Sequence, residues 1–203
     1  MKALLLIDIQ NDFVPGGALA VPGGADIIPL VNQLQPRFDL VVATQDWHPA
    51  GHLSFASSHP GKQQFDRIEL YGLAQVLWPD HCVQGTEGAE LHPDLDQHRI
   101  EAVFRKGMAR EIDSYSGFFD NGHRRSTGLA DYLRGRGVTQ VYLAGLAADY
   151  CVFFSAKDSR GQGFETFIIG DATRAISEEG FAQAKIELHE LGGRVVQSAE
   201  LLG

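Results

Sequence analysis

The sequence predicts an α/β fold, an open and mainly parallel twisted sheet of about six strands with helices on both faces. Three observations point there. Short apolar runs recur without clear alternation, as strands buried on both faces of a parallel sheet do. Helix-period segments lie between these runs, and the two patterns alternate along the chain. Strands are expected at residues 3–7, 40–43, 102–104, 141–144, 167–169 and 195–196.

The first helix is expected after Asp26, read as its N-cap, with Ile27, Leu30, Val31 and Leu34 at helical spacing and Pro29 tolerated in the first turn. Leu129, Tyr132 and Leu133 form a second stripe, ended by Gly135 and Gly137. A third helix follows Asp149 and carries Val152, Ser155 and Ala156, and a fourth carries Phe181, Ala184, Leu188 and Leu191 before Gly192-Gly193 closes it. Residues 45–98, rich in His, Pro, Gly and Asp, read as one long irregular stretch of the kind that carries function. Its flanking strands read as members of one sheet, so residues 1–203 are taken as a single domain with a metal and substrate loop region at about 45–98.

Composition narrows the partners. Of 203 residues, 17 are Lys or Arg and 26 are Asp or Glu, a formal charge of −9 that does not suit a sequence-independent nucleic-acid binder. No apolar run approaches the roughly 20 residues of a membrane span. The amino-terminal run is too short for a signal peptide and is interrupted by Asp8, so a cytoplasmic protein acting on a small molecule is expected, with a homo-oligomer left open. Two cysteines, Cys82 and Cys151, are too few for a disulfide framework.

In open α/β sheets, ligands bind outside the carboxyl ends of the strands. The residues expected there are Asp8, then Asp46 and His48, then Lys106, and then a turn leading to Cys151. Each alone has an ordinary reading: Asp8 capping a turn, Lys106 solvated, Cys151 a small core residue. Together they offer a carboxylate, an ammonium and a thiol, a nucleophilic set that needs no histidine. The start of a helix at Cys151 is expected to lower the thiol pKa and to supply N–H groups for an oxyanion.

Asp46-Trp47-His48 places a carboxylate and an imidazole on the same side of an extended segment; His52 lies four residues on, and His81 stands in Trp78-Pro79-Asp80-His81-Cys82-Val83. Mixed oxygen and nitrogen ligands suit one divalent Zn, Fe or Mn ion, and fewer than four protein ligands leave the open positions of a catalytic site. His59, His92, His98, His123 and His189 read as surface or turn residues, and Cys82 as structural.

These motifs, in this order, resemble the isochorismatase-like cysteine hydrolases, and among them the nicotinamidases. The matching segments are Ile7-Asp8-Ile9-Gln10-Asn11-Asp12-Phe13, Thr44-Gln45-Asp46-Trp47-His48-Pro49 with Ser54-Phe55-Ala56, the Trp78 segment above, Phe104-Arg105-Lys106-Gly107 with Tyr115-Ser116-Gly117-Phe118, and Gly145-Leu146-Ala147-Ala148-Asp149-Tyr150-Cys151-Val152. The resemblance implies a catalytic triad of Asp8, Lys106 and Cys151, and metal ligation by Asp46, His48 and His81, with zinc favoured. His52 matches a histidine that ligates in some members and not in others. Phe13 and Trp78 would flank the substrate ring, and a cis bond between Leu146 and Ala147 would turn the Ala147 N–H towards the oxyanion beside that of Cys151. Tyr150 departs from the His found before the cysteine in some relatives. The implied activity is hydrolysis of nicotinamide to nicotinic acid through a thioester, with pyrazinamide also accepted and a role in NAD salvage. Two rivals stay open: a sister amidohydrolase of the family, with or without metal, and a non-enzymatic metal or thiol protein.

Overall fold

The computed structural model describes all 203 residues. In chain order the strands are β1 (Lys2–Ile7), β2 (Leu40–Asp46), β3 (Arg67–Leu70), β4 (Leu73–Val76), β5 (Ile100–Lys106), β6 (Gln140–Leu146), β7 (Glu165–Arg174) and β8 (Arg194–Val196). The helices are α1 (Ile28–Leu34), α2 (Leu129–Gly135), α3 (Phe153–Gly161), α4 (Glu178–Glu190) and α5 (Ala199–Leu202). Six strands form one parallel sheet in the order β5-β2-β1-β6-β7-β8. All six expected strands are present.

Burial explains why these runs are strands. Alternate residues of β1 face opposite cores: Leu4 and Leu6 pack with Ile28, Val31 and Leu34 of α1, while Ala3, Leu5 and Ile7 pack with Leu129 and Leu133 of α2, Ala156 of α3 and Leu188 of α4. With both faces covered, neither needs polar residues, and the apolar runs are continuous. No helix is long and apolar enough to cross a membrane.

Three local expectations change. Asp26 does not cap α1; it lies inside a 3₁₀ turn, Gly24–Ile27, that leads into the helix, and neither start has a side-chain cap bond. The segment before α3 is a π-helical turn, Ala148–Val152, so Asp149 sits within it and its carboxylate instead accepts the N–H groups of Ile176 and Ser177, both at 2.9 Å. Residues 45–98 are not wholly irregular: β3 and β4 form an antiparallel hairpin, turned by Tyr71 and Gly72 with positive φ at both.

Chain direction across the sheet reverses between β1 and β6, because β2 and β5 extend one way and β7 and β8 the other. That switch opens a crevice at the carboxyl ends of the two central strands. The backbones meet closely there. Gly145 has φ +125, and a Cβ on it would lie 2.0 Å from the Ile7 carbonyl oxygen. The next peptide bond but one, Leu146–Ala147, is cis.

Gly145→Ala is expected to lower the unfolding free energy by about 2–5 kcal/mol, combining positive-φ strain with an over-packed backbone contact. Equilibrium urea unfolding against the parent chain measures it. A loss below about 0.5 kcal/mol, the level of an ordinary surface substitution, would contradict the close approach.

Candidate active site

Four strand ends deliver the polar residues to one place. Asp8 follows β1 with φ +46, a left-handed conformation uncommon outside glycine, and is held by Thr44 of β2: its N–H donates to Thr44 Oγ1 at 3.2 Å, and the Thr44 hydroxyl donates to Asp8 Oδ1 at 2.6 Å. Asp46 ends β2, clamped by Gln10, which accepts the Asp46 N–H and donates to the Asp46 carbonyl, each at 2.8 Å. Lys106 ends β5, and Cys151 rides the π-helical turn after β6.

Lys106 is the centre of this group. Its Nζ lies 2.9 Å from Asp8 Oδ2, 3.1 Å from Asp46 Oδ1, 2.9 Å from the Ser114 carbonyl oxygen and 3.5 Å from Cys151 Sγ. Burial opposes charge on the ammonium, but the Asp46 and Asp8 carboxylates outweigh it and hold Lys106 well above the usual lysine range. Asp8 is raised: desolvation exceeds the pull of Lys106, and Asp46 adds to the rise. On Asp46 burial also raises, yet the charges of His48 and Lys106 prevail and hold it well below the usual carboxylate range.

The Cys151 thiol departs from expectation. Burial pushes it well above the ordinary cysteine value, Lys106 pulls it down by less, and Asp8 and Asp46 push it up again. A helix start was expected to lower it; here the sulfur is desolvated and the two carboxylates lie close. Cys82 is buried and raised too, by burial first and then by Asp46, and its N–H is bound by Asp12 Oδ2 at 2.6 Å.

Asp46, His48 and His81 form the second cluster, with one ligand atom from each within 4.8 Å of the others. His48 Nδ1–H donates to the Gly107 carbonyl at 3.0 Å and His81 Nδ1–H to the Pro79 carbonyl at 2.8 Å. Both Nε2 atoms then face Asp46 Oδ2, at 3.1 and 3.5 Å. Three ligand atoms converging in a buried space fit a cation that would displace the protons between them, and carbonyl partners on Nδ1 are how metal-binding histidines are oriented. Gly107 makes room, since a Cβ there would lie 2.5 Å from His48 Cε1. The geometry of these residues suits a divalent ion. His52 stands outside it: Nδ1 accepts from Ser54, whose hydroxyl lies at 2.7 Å, and Nε2 donates to the Ala109 carbonyl at 2.9 Å.

Both clusters open on one small cavity. Phe13, Leu19, Trp78, Tyr115, Tyr150 and Ile176 line its apolar part, and Asp46, His81, Asp113, Ala147 and Cys151 its polar part. Phe13 and Trp78 were expected there. Tyr115 was visible only as part of a motif, and Leu19 and Ile176 carry no sequence signal. Asp113, buried with Oδ1 3.9 Å from His48 Nε2, was also missed. Its position in the loop after β5 was the available clue.

Residues 2–200 match the isochorismatase domain. The chain belongs to the isochorismatase family. It is 52% identical over 181 residues to a nicotinamidase of Acinetobacter baylyi, covering 89% of this chain and 85% of that one. A solved nicotinamidase–pyrazinamidase of Acinetobacter baumannii superposes with a TM-score of 0.97 at 48% identity, covering 99% and 98% of the two chains. A pyrazinamidase of Pyrococcus horikoshii solved in complex with zinc matches with a TM-score of 0.80 at 38% identity, covering 97% and 98%. The fold is that of the isochorismatase-like hydrolases.

Lys106→Met removes the cation from between two buried carboxylates. It should cost about 3–5 kcal/mol of stability, as breaking a buried ion pair from one side does. Urea unfolding of the metal-free chain at neutral pH reads this directly, and near-parental stability would show that the ammonium does not hold the two carboxylates.

Proposed function

We propose that Cys151 is the nucleophile, Asp8 the proton carrier and Lys106 the fixed cation of a thioester mechanism, carried by the single domain expected above. The protein is an amidohydrolase that converts nicotinamide to nicotinic acid and ammonia, a reaction that serves NAD salvage, and it accepts pyrazinamide. One observation carries this reading: Lys106 bonds Asp8 and reaches Cys151, and Cys151 lines a cavity shared with Asp46 and His81 of the cluster that could hold a cation.

The raised value of Asp8 suits the first step, since a base of raised pKa receives a thiol proton at less cost; the raised thiol opposes it, and the Lys106 ammonium pulls the other way. Asp8 takes the Sγ proton as sulfur bonds to the carboxamide carbon. The N–H groups of Ala147 and Cys151 hold the oxyanion, and Lys106 stabilises the charge shared by Asp8 and sulfur. Asp8 then returns the proton to the leaving nitrogen, the C–N bond breaks, and ammonia departs. Water gives its proton to Asp8 and its oxygen to the thioester carbon. When the C–S bond breaks, Asp8 reprotonates Cys151.

Asp46, His48 and His81 would hold the divalent ion; the donor set suits zinc, iron or manganese, and likeness to the zinc-bound pyrazinamidase favours zinc. Such an ion, when bound, would supply a Lewis-acid position able to orient a ring nitrogen. Phe13 and Trp78 flank the ring on the protein side. A sister amidase with no use for a ring nitrogen would leave this cluster idle.

Ammonia release from nicotinamide by the purified protein is the deciding assay. Cys151→Ala should lower turnover by at least about 10⁴-fold, and Asp8→Asn by about 10²–10⁴-fold. Iodoacetamide should inactivate by labelling Cys151 rather than Cys82, which peptide mapping after partial inactivation resolves; inactivation that follows Cys82 instead would displace the nucleophile.

His48→Ala and His81→Ala should lose bound metal in elemental analysis, whereas His52→Ala should retain it, because both His52 nitrogens are already bound within the protein. Full metal content in the His81 variant would remove that residue from the site.

A further inference from the structure

We propose that Gln75 is a positioning residue: its one buried amide, on the β3–β4 hairpin, holds both the carboxylate beside the metal cluster and a wall of the ring cavity. Metal retention and ring binding then share a support. The proposal rests on the reading above of Asp46, His48 and His81 as a metal site and of the adjoining cavity as the ring site.

The hairpin is otherwise peripheral. Along β4, Leu73 and Val76 are half-buried and Ala74 is exposed, whereas Gln75 is 4% exposed. A polar side chain is buried from such a strand only if it finds partners. Gln75 Nε2 has three acceptors for its two N–H groups: the Val76 carbonyl at 2.7 Å, Asp113 Oδ2 at 3.2 Å and Tyr115 Oη at 3.2 Å.

Each of the two side-chain partners leads to a different half of the site. Asp113 Oδ2 is held by Gln75 while Oδ1 accepts the Ser114 N–H at 2.7 Å and lies 3.9 Å from His48 Nε2. The amide therefore fixes the rotation that turns Oδ1 towards the acceptor cluster. Tyr115 Oη also accepts the Trp78 Nε1–H at 3.3 Å, so the same amide fixes the tyrosine against the tryptophan expected to flank the ring. Removing the amide leaves a buried carboxylate oxygen without its donor and releases both side chains.

Gln75→Met keeps length and burial while removing both N–H groups. Metal affinity is read on metal-free protein by competition for Zn²⁺ with a chromogenic chelator, and KM and kcat for nicotinamide on metal-saturated protein. The dissociation constant for Zn²⁺ should rise about 10–100-fold, the usual effect of losing a group that orients a metal site. KM should rise while kcat changes little, a split that general loosening of the fold would not produce. Because Gln75 acts on the metal through Asp113, adding Gln75→Met to Asp113→Asn should change Zn²⁺ affinity by no more than about twofold. Gln75→Asn, polar but one methylene too short to reach Asp113, should behave as Gln75→Met and takes its place if that variant does not fold. Parental Zn²⁺ affinity and KM in these variants, or full additivity with Asp113→Asn, would overturn the proposal. A parent chain that takes up no divalent ion would instead overturn the metal reading beneath it.

Discussion

The buried ammonium of Lys106 is the interaction on which the site depends. Two carboxylates, Asp8 and Asp46, are carried into the interior by adjacent strands, and neither could stay ionised there alone. Lys106 arrives from the next strand and bonds both, along with the Ser114 carbonyl. Each carboxylate then has its second oxygen committed elsewhere: Asp8 Oδ1 to Thr44 and Asp46 Oδ2 to the two histidines. The ion pairs thus join the proton-transfer chemistry of one cluster to the cation-binding chemistry of the other. Neither cluster is electrostatically complete without the shared lysine.

Sheet topology makes that arrangement reachable. Parallel strands end side by side at one rim, so residues far apart in sequence become neighbours when each stands at or just after its strand end. Asp8, Asp46 and Lys106 obey this rule, and Cys151 follows β6 by one turn. The close approach of Gly145 to β1 keeps the Cys151 turn against Asp8 rather than a side chain's width away.

This is also why much of the site was legible in the sequence. The runs of β1, β2 and β6 are continuous because both faces are buried, and even at the edge strand β5 the residue that ends the run falls at the rim. Legibility failed where position depends on loops. Asp113 and Tyr115 reach the cavity from an irregular segment, and nothing in the spacing of Leu19 or Ile176 marks them. The hairpin leaves little trace in the sequence because its faces are only partly buried and its turn pair, Tyr71-Gly72, lacks the Asn-Gly or Asp-Gly pattern of such turns. Asp26 was misplaced because a 3₁₀ turn precedes the helix that its side chain suits. The Cys151 thiol differs from expectation for another reason: a helix start is visible in sequence, whereas the desolvation that pushes the thiol up belongs to the packed whole.

The crossover from β2 to β5 has no α-helix, only two short 3₁₀ turns, and the hairpin occupies the middle of it. Its base is tied off locally, with the Phe65 N–H donating to the Leu77 carbonyl at 2.6 Å and the Leu77 N–H to the Asp66 carbonyl at 2.8 Å. The hairpin is therefore a cassette. It can lengthen, shorten or be exchanged between its tied ends without disturbing sheet register, and whatever residue stands at its inward position edits the pocket from outside the scaffold. Divergence in ring preference has a ready route here, since natural variation can accumulate in a surface insertion while the strand-borne chemistry stays constant.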